Sequence, residues 1–216
     1  MIDSIIDVSH WEDPIDFTKV LDDGIVAVIA KATQGAAGVD DKYSTFKASA
    51  NKKFLWGSYH FGTASEVDVQ VDHYLKVAQP SDDEFVCLDF EPNPQGLSMT
   101  ISQAREFVSL FEHLTGRKPV LYGGHWLKEH LASKDDVLSQ CPLWLAQYGP
   151  KPVLPPGFKS YTLWQFTDGS SGPEPHTVSG IGKCDRSRFI GTEADFRKNW
   201  PFTQSSCGVV KVDQRL

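Results

Sequence analysis

Eight short apolar runs, most of the early ones followed by a segment of helical character, constrain the fold of this sequence more than any other feature. The runs are rich in β-branched and aromatic residues, which favour strands. They span residues 5–9, 26–33, 54–61, 85–91, 120–124, 143–148, 162–166 and 183–189. Alternation of strands and helices implies parallel strands joined by right-handed crossovers. Eight such strands predict closure into a barrel.

Five segments have the start and stop signals of helices. The segment over 13–24 opens at Asp-Pro and ends at Gly24, and the others span 40–53, 65–80, 98–119 and 124–136. Only loops separate the last three strands. The sequence therefore predicts an α/β fold, an irregular TIM-like β/α barrel with eight strands and about five helices that is helix-poor in its last third. Residues 1–200 are expected to form one domain, and 201–216 a C-terminal tail.

Charge and composition argue against several classes of partner. The formal net charge of −7 does not suit a protein that binds a phosphate backbone, so no nucleic acid is expected. No apolar run approaches the roughly 20 residues of a membrane span, so no membrane insertion is expected. The start, MIDSIIDVSHW, has no basic and apolar regions of a signal peptide, which indicates either another export route or a signal already removed. The irregularly spaced cysteines, interpreted as free thiols with a disulfide left open, are Cys87, Cys141, Cys184 and Cys207.

Two carboxylates end the fourth apolar run, FVCLDFEPN. Because side chains alternate along a strand, Asp89 and Glu91 project to the same side. Asp7 ends the first run, and Asp185 belongs to the eighth. Strands one and eight must be neighbours in a closed barrel, and the active sites of parallel barrels lie at the carboxyl ends of the strands. The sequence therefore predicts that these four acids converge at one mouth of the barrel.

Several carboxylates in one cleft push their pKa values apart, so that one stays protonated as a general acid while another stays ionised. Glycoside hydrolysis needs such a pair, with one protonated carboxyl and one ionised carboxylate. Other polar and aromatic residues near the strand ends are candidate sugar-binding groups: Ser9, Lys31, Tyr59, His60, Tyr122, Trp144, Gln147, Tyr148 and Gln165. For any one aromatic alone, core packing is the better interpretation. Four acids at one barrel end outweigh it.

Other chemistries fit less well. A metal hydrolase could use His10, His60 or His125, but neither HxH nor HExxH occurs. There is no GxSxG nucleophile elbow, and no phosphate-loop or dinucleotide pattern. We therefore predict no metal and no cofactor.

An ordered set of segments resembles glycoside hydrolase family 25, the Chalaropsis-type lysozymes: IDVSHW, AKATQG, GSYHF, CLDFE, LYGG, LWLAQY, LWQF and GIGKCDRSRF. The resemblance implies a flattened β/α barrel that cleaves the β-1,4 bond between N-acetylmuramic acid and N-acetylglucosamine in peptidoglycan. It implies that Glu91 is the general acid, Asp89 the second carboxylate, and Asp7 and Asp185 further active-site aspartates. The remaining carried-over cleft residues are Tyr59, Tyr122, Trp144, Gln147, Tyr148 and Gln165.

The resemblance also implies where and on what the chain works. We expect a monomer that acts on peptidoglycan glycan strands at the cell wall, outside the cytoplasm. The segment after residue 200 is too short for the wall-binding module that many relatives carry. One departure is Gln34 in KATQG, where many members have Glu. This puts one sugar-subsite contact in question.

Two alternatives stay open at this point. One is a chitinase-like or endo-N-acetylglucosaminidase barrel, although residues 82–91 have Cys87 where those families have the middle acid of DxxDxDxE. The other is a catalytically silent wall-binding barrel, which would be expected to lose Asp89 or Glu91. For the mechanism we favour retention with assistance from the 2-acetamido group of the sugar over direct attack by Asp89.

Overall fold

The computed structural model describes residues 1–50 and 52–203. The part of the expected tail from residue 204 onward, including Cys207, lies outside the described residues.

Eight strands form the barrel wall, and all eight predicted runs become strands. A ninth strand, β3, extends β2 as a short hairpin arm, and β9 pairs with β10 in a separate small ribbon. The bounds are β1 Ile2–Val8, β2 Ala27–Gln34, β3 Gly38–Val39, β4 Leu55–Phe61, β5 Phe85–Asp89, β6 Val120–Gly123, β7 Leu143–Ala146, β8 Leu163–Thr167, β9 Thr177–Val178, β10 Gly182–Lys183 and β11 Asp185–Phe189.

The barrel closes between its first strand and two neighbours. β1 pairs with β2 on one side and with β11 on the other, and the wall runs β1-β11-β8-β7-β6-β5-β4-β2. The expectation that all eight strands are parallel is wrong for the last one, because β11 is antiparallel to both β1 and β8. A parallel return needs a long crossover, which is usually but not always a helix: β7 and β8 are parallel with only loop between them. Between β8 and β11 the described chain has only the β9–β10 ribbon and loops.

Six helices surround the wall in the described part of the chain, one more than predicted. Their bounds are α1 Phe17–Asp22, α2 Tyr43–Ala50, α3 Val67–Ala78, α4 Ile101–Thr115, α5 His125–His130 and α6 Glu193–Asn199. The longest, α4, begins with a capping box in which Thr100 and Gln103 satisfy each other's backbone N–H groups, and it ends at Gly116 with φ of 75°. Within residues 1–50 and 52–203, no helix has the length and apolarity needed to cross a bilayer.

Strand alternation divides the apolar residues into two cores. One face of the wall packs against the helices, as Val86 and Leu88 do with Phe107 and Phe111 of α4. The other face fills the barrel interior, which includes Cys87. Cys87, Cys141 and Cys184 are buried free thiols, as the sequence indicated.

The unpredicted α6 closes the end of the barrel where the parallel strands begin. Phe196 of α6 is fully buried and belongs to the interior core. Trp200 stacks on Phe85, the first residue of β5, at 5.1 Å between ring centroids. Among the described residues, aromatic side chains seal that end, and the interior opens at the opposite mouth.

Candidate active site

Four carboxylates converge at the open mouth, supplied by three parts of the wall: β1, the end of β5 and β11. Asp7 of β1 lies directly opposite Asp185 of β11 in the strand register. Asp185 is the first residue of its strand. Because β11 runs antiparallel to its neighbours, its beginning lies where their carboxyl ends lie, and this places Asp185 at the mouth.

Asp89 is the last residue of β5, and Glu91 follows two residues later. Asp89 lies opposite Phe61 of β4 and Tyr122 of β6. The peptide that joins Asp89 to Phe90, between the two acids, is tied to both neighbouring parts of the wall: Gly62 N–H donates to the Asp89 carbonyl at 3.0 Å, and Phe90 N–H donates to the Tyr122 carbonyl at 3.0 Å. The direction in which the two carboxyls leave the wall is therefore fixed by the sheet.

The four acids line a common cavity of about 70 Å³ together with three aromatic residues, Tyr59, Tyr122 and Trp144. A second cavity of about 230 Å³ adjoins it and shares the four acids and Tyr59. Its outer lining includes Ser9, Trp11, Glu12 and Lys31. The mouth thus has a small acidic inner cavity and a larger outer one. This arrangement suits a site that holds one reacting sugar of a longer glycan chain.

Asp89 and Glu91 both have raised pKa values, and burial is the main cause for each. Burial is the main reason that the pKa of Asp89 lies well above its ordinary value, the negative charge of Glu91 adds to the effect, and the ammonium of Lys31 opposes it. Burial also raises the pKa of Glu91, with His125 opposing. The Asp89 Oδ1 atom is buried and accepts no hydrogen bond from any described residue.

Asp7 and Asp185 form the second acidic pair. Burial raises the pKa of Asp7 well above its ordinary value, and the facing Asp185 adds to it. The pKa of Asp185 is raised to about 7, first by burial and then by Glu12. A hydrogen bond between two carboxyls needs one proton, so the pair is suited to share a proton near neutral pH.

One amide organises the hydroxyl groups on the far wall. Gln165 of β8 donates from Nε2 to Asp7 Oδ2 at 2.9 Å. Its Oε1 accepts from the hydroxyls of Tyr122 at 2.8 Å and Tyr148 at 2.6 Å. Because both tyrosines donate to Gln165, their oxygen lone pairs remain available to donors on a ligand.

Two further predicted residues support this wall. Trp144 of β7 donates from Nε1 to Ser187 Oγ at 2.8 Å, and its ring meets Tyr122 edge-on at 4.8 Å between centroids. Gln147 accepts from Lys128 Nζ through its side chain and from Trp164 Nε1 through its carbonyl at 2.7 Å. Trp144 lines the floor of the cavity, whereas the structure assigns Gln147 to holding α5 and β8 in position.

Ser9 and Lys31 lie at the rim. Ser9 caps the short 3₁₀ helix His10–Glu12, and the Glu12 carboxylate accepts from the Ser9 N–H at 2.7 Å. Lys31 Nζ donates to Gln34 Oε1 at 2.7 Å. Burial lowers the pKa of Lys31, while Asp89 and Asp40 oppose that shift.

The predicted substrate contact at His60 is wrong. His60 is fully buried on the helix-facing side of β4, stacked on Phe107 of α4 at 5.2 Å. Its Nδ1 is 2.7 Å from Thr33 Oγ1 and its Nε2 3.2 Å from Gln70 Oε1. Burial lowers its pKa to about 3, so it is neutral there. His60 misses the cavity because side chains alternate along β4: Tyr59 faces inward, so its neighbour His60 faces the helices.

Glu12 and Trp11 line the mouth but were not predicted as site residues. A signal for Glu12 was present, because Ser9-x-x-Glu12 has the spacing of a capping box. Glu12 matters electrostatically, since after burial it is the largest cause of the raised pKa of Asp185. Trp11 is 78% exposed at the rim of the outer cavity.

One group of metal-ligand type lies beside the mouth. His10, Asp40 and Asp41 bring ligand atoms within 4.8 Å of one another. Asp40 is already occupied, because it accepts from His10 N–H at 3.1 Å and Lys42 N–H at 3.1 Å and lies 2.8 Å from His10 Nδ1. These contacts hold the turn that follows β1 against the segment that precedes α2.

A closed β/α barrel with paired acids at the open mouth defines the class of this protein: a barrel glycoside hydrolase. The chain belongs to glycosyl hydrolases family 25, whose model matches residues 6–174.

Individual relatives agree. Lysozyme M1 from Streptomyces globisporus is 30% identical over 206 residues, covering 88% of this chain and 68% of that protein. The bacterial lysozyme from Streptomyces coelicolor superposes with a TM-score of 0.78 at 28% identity, covering 89% and 94% of the two chains. A family GH25 lysozyme from Aspergillus fumigatus gives 0.76 at 28% identity, covering 89% and 96%.

Proposed function

We infer that this chain is a lysozyme, an N-acetylmuramidase that hydrolyses the β-1,4 bond between N-acetylmuramic acid and N-acetylglucosamine in peptidoglycan. The observation that carries the inference is the cavity lined by Asp7, Asp89, Glu91 and Asp185 at the open end of a family 25 barrel. The relatives named lysozyme, and the N,O-diacetylmuramidase of Chalaropsis sp. at 26% identity over 182 residues, support the same bond.

We propose that Glu91 is the general acid. It carries a raised pKa, lies at the cavity and follows the strand end, where its longer side chain can reach the leaving oxygen. The proton passes from Glu91 to the glycosidic oxygen as the bond to the anomeric carbon breaks. General acid catalysis of this kind is worth roughly 10²–10⁴-fold in rate.

We propose that Asp89 assists the acetamido group of the muramic sugar. The acetamido carbonyl oxygen attacks the anomeric carbon as the glycosidic bond breaks, and ionised Asp89 accepts a hydrogen bond from the amide N–H and stabilises the developing positive charge. Water then opens the cyclic intermediate with retention and gives its proton to the carboxylate of Glu91, which restores the acid. The unpaired Asp89 Oδ1 atom supports this role. Lys31 stabilises the ionised form of Asp89.

A substrate whose acetamido group is replaced by trifluoroacetamido separates the two retaining routes. A steep loss of rate is expected, because the fluorinated carbonyl is a poorer nucleophile. A glycosyl ester trapped on Asp89 would overturn the assisted route, and inversion of configuration would exclude both.

The remaining mouth residues are proposed substrate contacts. Tyr59, Tyr122, Trp144 and Tyr148 present ring faces or hydroxyls around the cavity, Gln165 holds those hydroxyls in place, and Ser9 and Lys31 lie at the rim. We propose Gln147 only as a support for this wall. Residues 1–200 are proposed to act as one catalytic domain and as a monomer on glycan strands at the cell wall.

The reaction products test the function directly. Purified cell walls should lose turbidity on treatment, and fragments reduced with borohydride should end in the alcohol of N-acetylmuramic acid. Fragments ending in the alcohol of N-acetylglucosamine would instead support the chitinase-like or glucosaminidase alternative. Binding to walls without any fragment release would support a catalytically silent barrel.

A further inference from the structure

A groove of about 740 Å³ lies beside the catalytic mouth and is not used by the mechanism above. We call it the hairpin groove. Its walls are the β2–β3 hairpin at residues 34–40, the segment Thr63–Ser65 after β4, and the loop Asn93–Leu97 after Glu91. Lys31 lines both this groove and the outer catalytic cavity, so the two are continuous.

The walls of the groove are fixed by contacts among themselves. Gly35 turns the hairpin with φ of +57°, and a Cβ placed there would lie 2.8 Å from Thr63 Oγ1. Across the groove, Ala64 N–H donates to the Leu97 carbonyl at 3.2 Å, and Thr63 bridges to Ser98. The hairpin and the loop therefore hold a cleft whose shape exists before any ligand arrives.

The lining of the groove differs in kind from that of the catalytic cavity. Its residues are mostly small or polar, and none of the described ones is Phe, Tyr or Trp. The catalytic cavity has three such aromatic residues. Sugar rings pack well on aromatic faces, whereas peptides are held through main-chain hydrogen bonds along exposed backbone. The turn before β3 offers such backbone at Ala37, which is exposed, whereas the Gly38 carbonyl already lies 2.9 Å from His73 Nε2.

The end of the hairpin groove nearest the catalytic acids has a positively charged residue, Lys31. Lys31 Nζ is held by Gln34 Oε1 at 2.7 Å, and this partner is neutral. Within residues 1–50 and 52–203, no carboxylate oxygen lies within 4.0 Å of Lys31 Nζ, the distance limit for an ion pair. A Glu at position 34 would neutralise the ammonium. Gln34 forms no ion pair with Lys31, and although Asp89 and Asp40 act on the ammonium at longer range, a bound anion can still pair with it.

We propose that the hairpin groove binds the acidic stem peptide of the muramic sugar, with Lys31 pairing with a peptide carboxylate. The proposal rests on the proposed function, because only muramic acid carries a peptide, on its lactyl group. If the bond cut is the one at muramic acid, the peptide begins beside the scissile bond and must leave the cavity sideways. The hairpin groove is the opening that meets this requirement and is lined for a peptide.

Filling the groove tests the occupant. Ala37→Trp places a bulky side chain in the groove, and Ala194→Trp, on exposed α6 near the sealed barrel end, is the matched control. Each is assayed on intact peptidoglycan and on the same glycan strands stripped of peptides by an amidase. We expect Ala37→Trp to lose about tenfold in kcat/KM on intact peptidoglycan, or roughly 1.4 kcal/mol. It should change little on stripped strands, and Ala194→Trp little on either.

Activity of Ala37→Trp on stripped strands also reports that the variant is folded. Equal loss on both substrates would mean that the groove holds glycan, and no loss on either would mean that it holds nothing. Each of these results overturns the proposal. If the unaltered protein cuts neither substrate, the proposed function itself has failed, which is a different outcome.

A second variant tests the charge. Gln34→Glu should weaken hydrolysis of peptidoglycan whose stem glutamate has a free carboxylate more than that of peptidoglycan whose stem glutamate is amidated. The carboxylate introduced at position 34 competes with the peptide for Lys31, and this matters only where the peptide has a free carboxylate of its own. The same fold-change on both wall types would overturn the role of Lys31.

Discussion

At the scale of single residues, the site depends on a few polar atoms that each have a defined partner. Gln165 connects Asp7 to two tyrosine hydroxyls through one amide. An amide can donate and accept at once, so Gln165 can hold a carboxyl in place on one side and orient hydroxyls on the other. Replacement by a purely apolar or purely acidic side chain would break one half of this arrangement.

The two tyrosines give a matched pair of tests on that amide. Tyr122→Phe and Tyr148→Phe each remove one hydroxyl that donates to Gln165 Oε1. Tyr122 is 7% exposed and Tyr148 is 39% exposed, so water replaces the lost bond more easily at Tyr148. We expect urea unfolding to give a loss of about 1 kcal/mol for Tyr122→Phe and less for Tyr148→Phe. A larger loss for Tyr148→Phe would contradict this account of the wall.

Residue identity could be read from the sequence better than residue direction. Asp89 and Glu91 were assigned correctly to one cavity by strand parity, although β5 ends at Asp89 and Glu91 lies two residues beyond it. His60 was assigned to substrate on the polarity of a strand end, although it alternates with the inward-facing Tyr59. The polarity of a strand end does not show which face a side chain occupies. His60 can be buried on the helix-facing side because Gln70 of α3 supplies it with a hydrogen-bond partner.

At the scale of elements, the eight strands were predictable and the direction of the last was not. Apolar runs mark strands by composition, but nothing in the KCDRSRF segment encodes which way it pairs. The antiparallel direction of β11 has a functional consequence, because it brings Asp185, the first residue of that strand, to the mouth. α6 was missed although Thr192 and Asp195 form a capping box at its start.

The β2–β3 hairpin depends on a glycine for two reasons, and they can be separated. Gly35 has φ of +57° and no room for a Cβ, whereas Gly24 has φ of +85° with nothing within 4 Å of a Cβ. Gly24→Ala should cost only the conformational penalty of about 1–2 kcal/mol. Gly35→Ala should cost more in thermal or urea unfolding, since Thr63 must also move. Equal losses would show that the hairpin is not packed as described.

The closing helix predicts a stability effect without a change in chemistry. Phe196 of α6 is fully buried among Phe189, Trp200 and Phe202 at the sealed end of the barrel. Phe196→Ala should reduce the free energy of unfolding by about 3–5 kcal/mol. At a temperature where the variant is folded, KM should stay unchanged because the mouth lies at the opposite end. An altered KM with unchanged stability would refute this placement of α6.

At the scale of the whole molecule, the acidic cluster makes stability depend on pH. Asp7, Asp89 and Glu91 have raised pKa values, and that of Asp185 is about 7. The folded protein therefore keeps protons that the unfolded chain has already released. This contribution is fully present below the ordinary carboxyl pKa values and is lost as pH rises through the raised ones.

Urea unfolding measured between pH 5 and pH 8 should therefore show stability falling with pH. The slope is limited to about 1.4 kcal/mol per pH unit for each proton retained. Asp185→Asn removes one titrating group and should flatten the curve near neutral pH. Stability that rises over this range, or an unchanged slope in Asp185→Asn, would be inconsistent with a buried, proton-sharing cluster.

The central claim is that Glu91 supplies the proton to the departing sugar, and one comparison of substrates tests it most directly. Glu91→Gln is assayed on peptidoglycan and on a β-glycoside with a dinitrophenolate leaving group, which departs without protonation; Glu129→Gln, exposed on α5, is the control. We predict a loss of at least about 10²-fold on peptidoglycan for Glu91→Gln and a much smaller loss on the activated glycoside. Near-normal turnover of peptidoglycan, or equal loss on both substrates, would contradict the assignment.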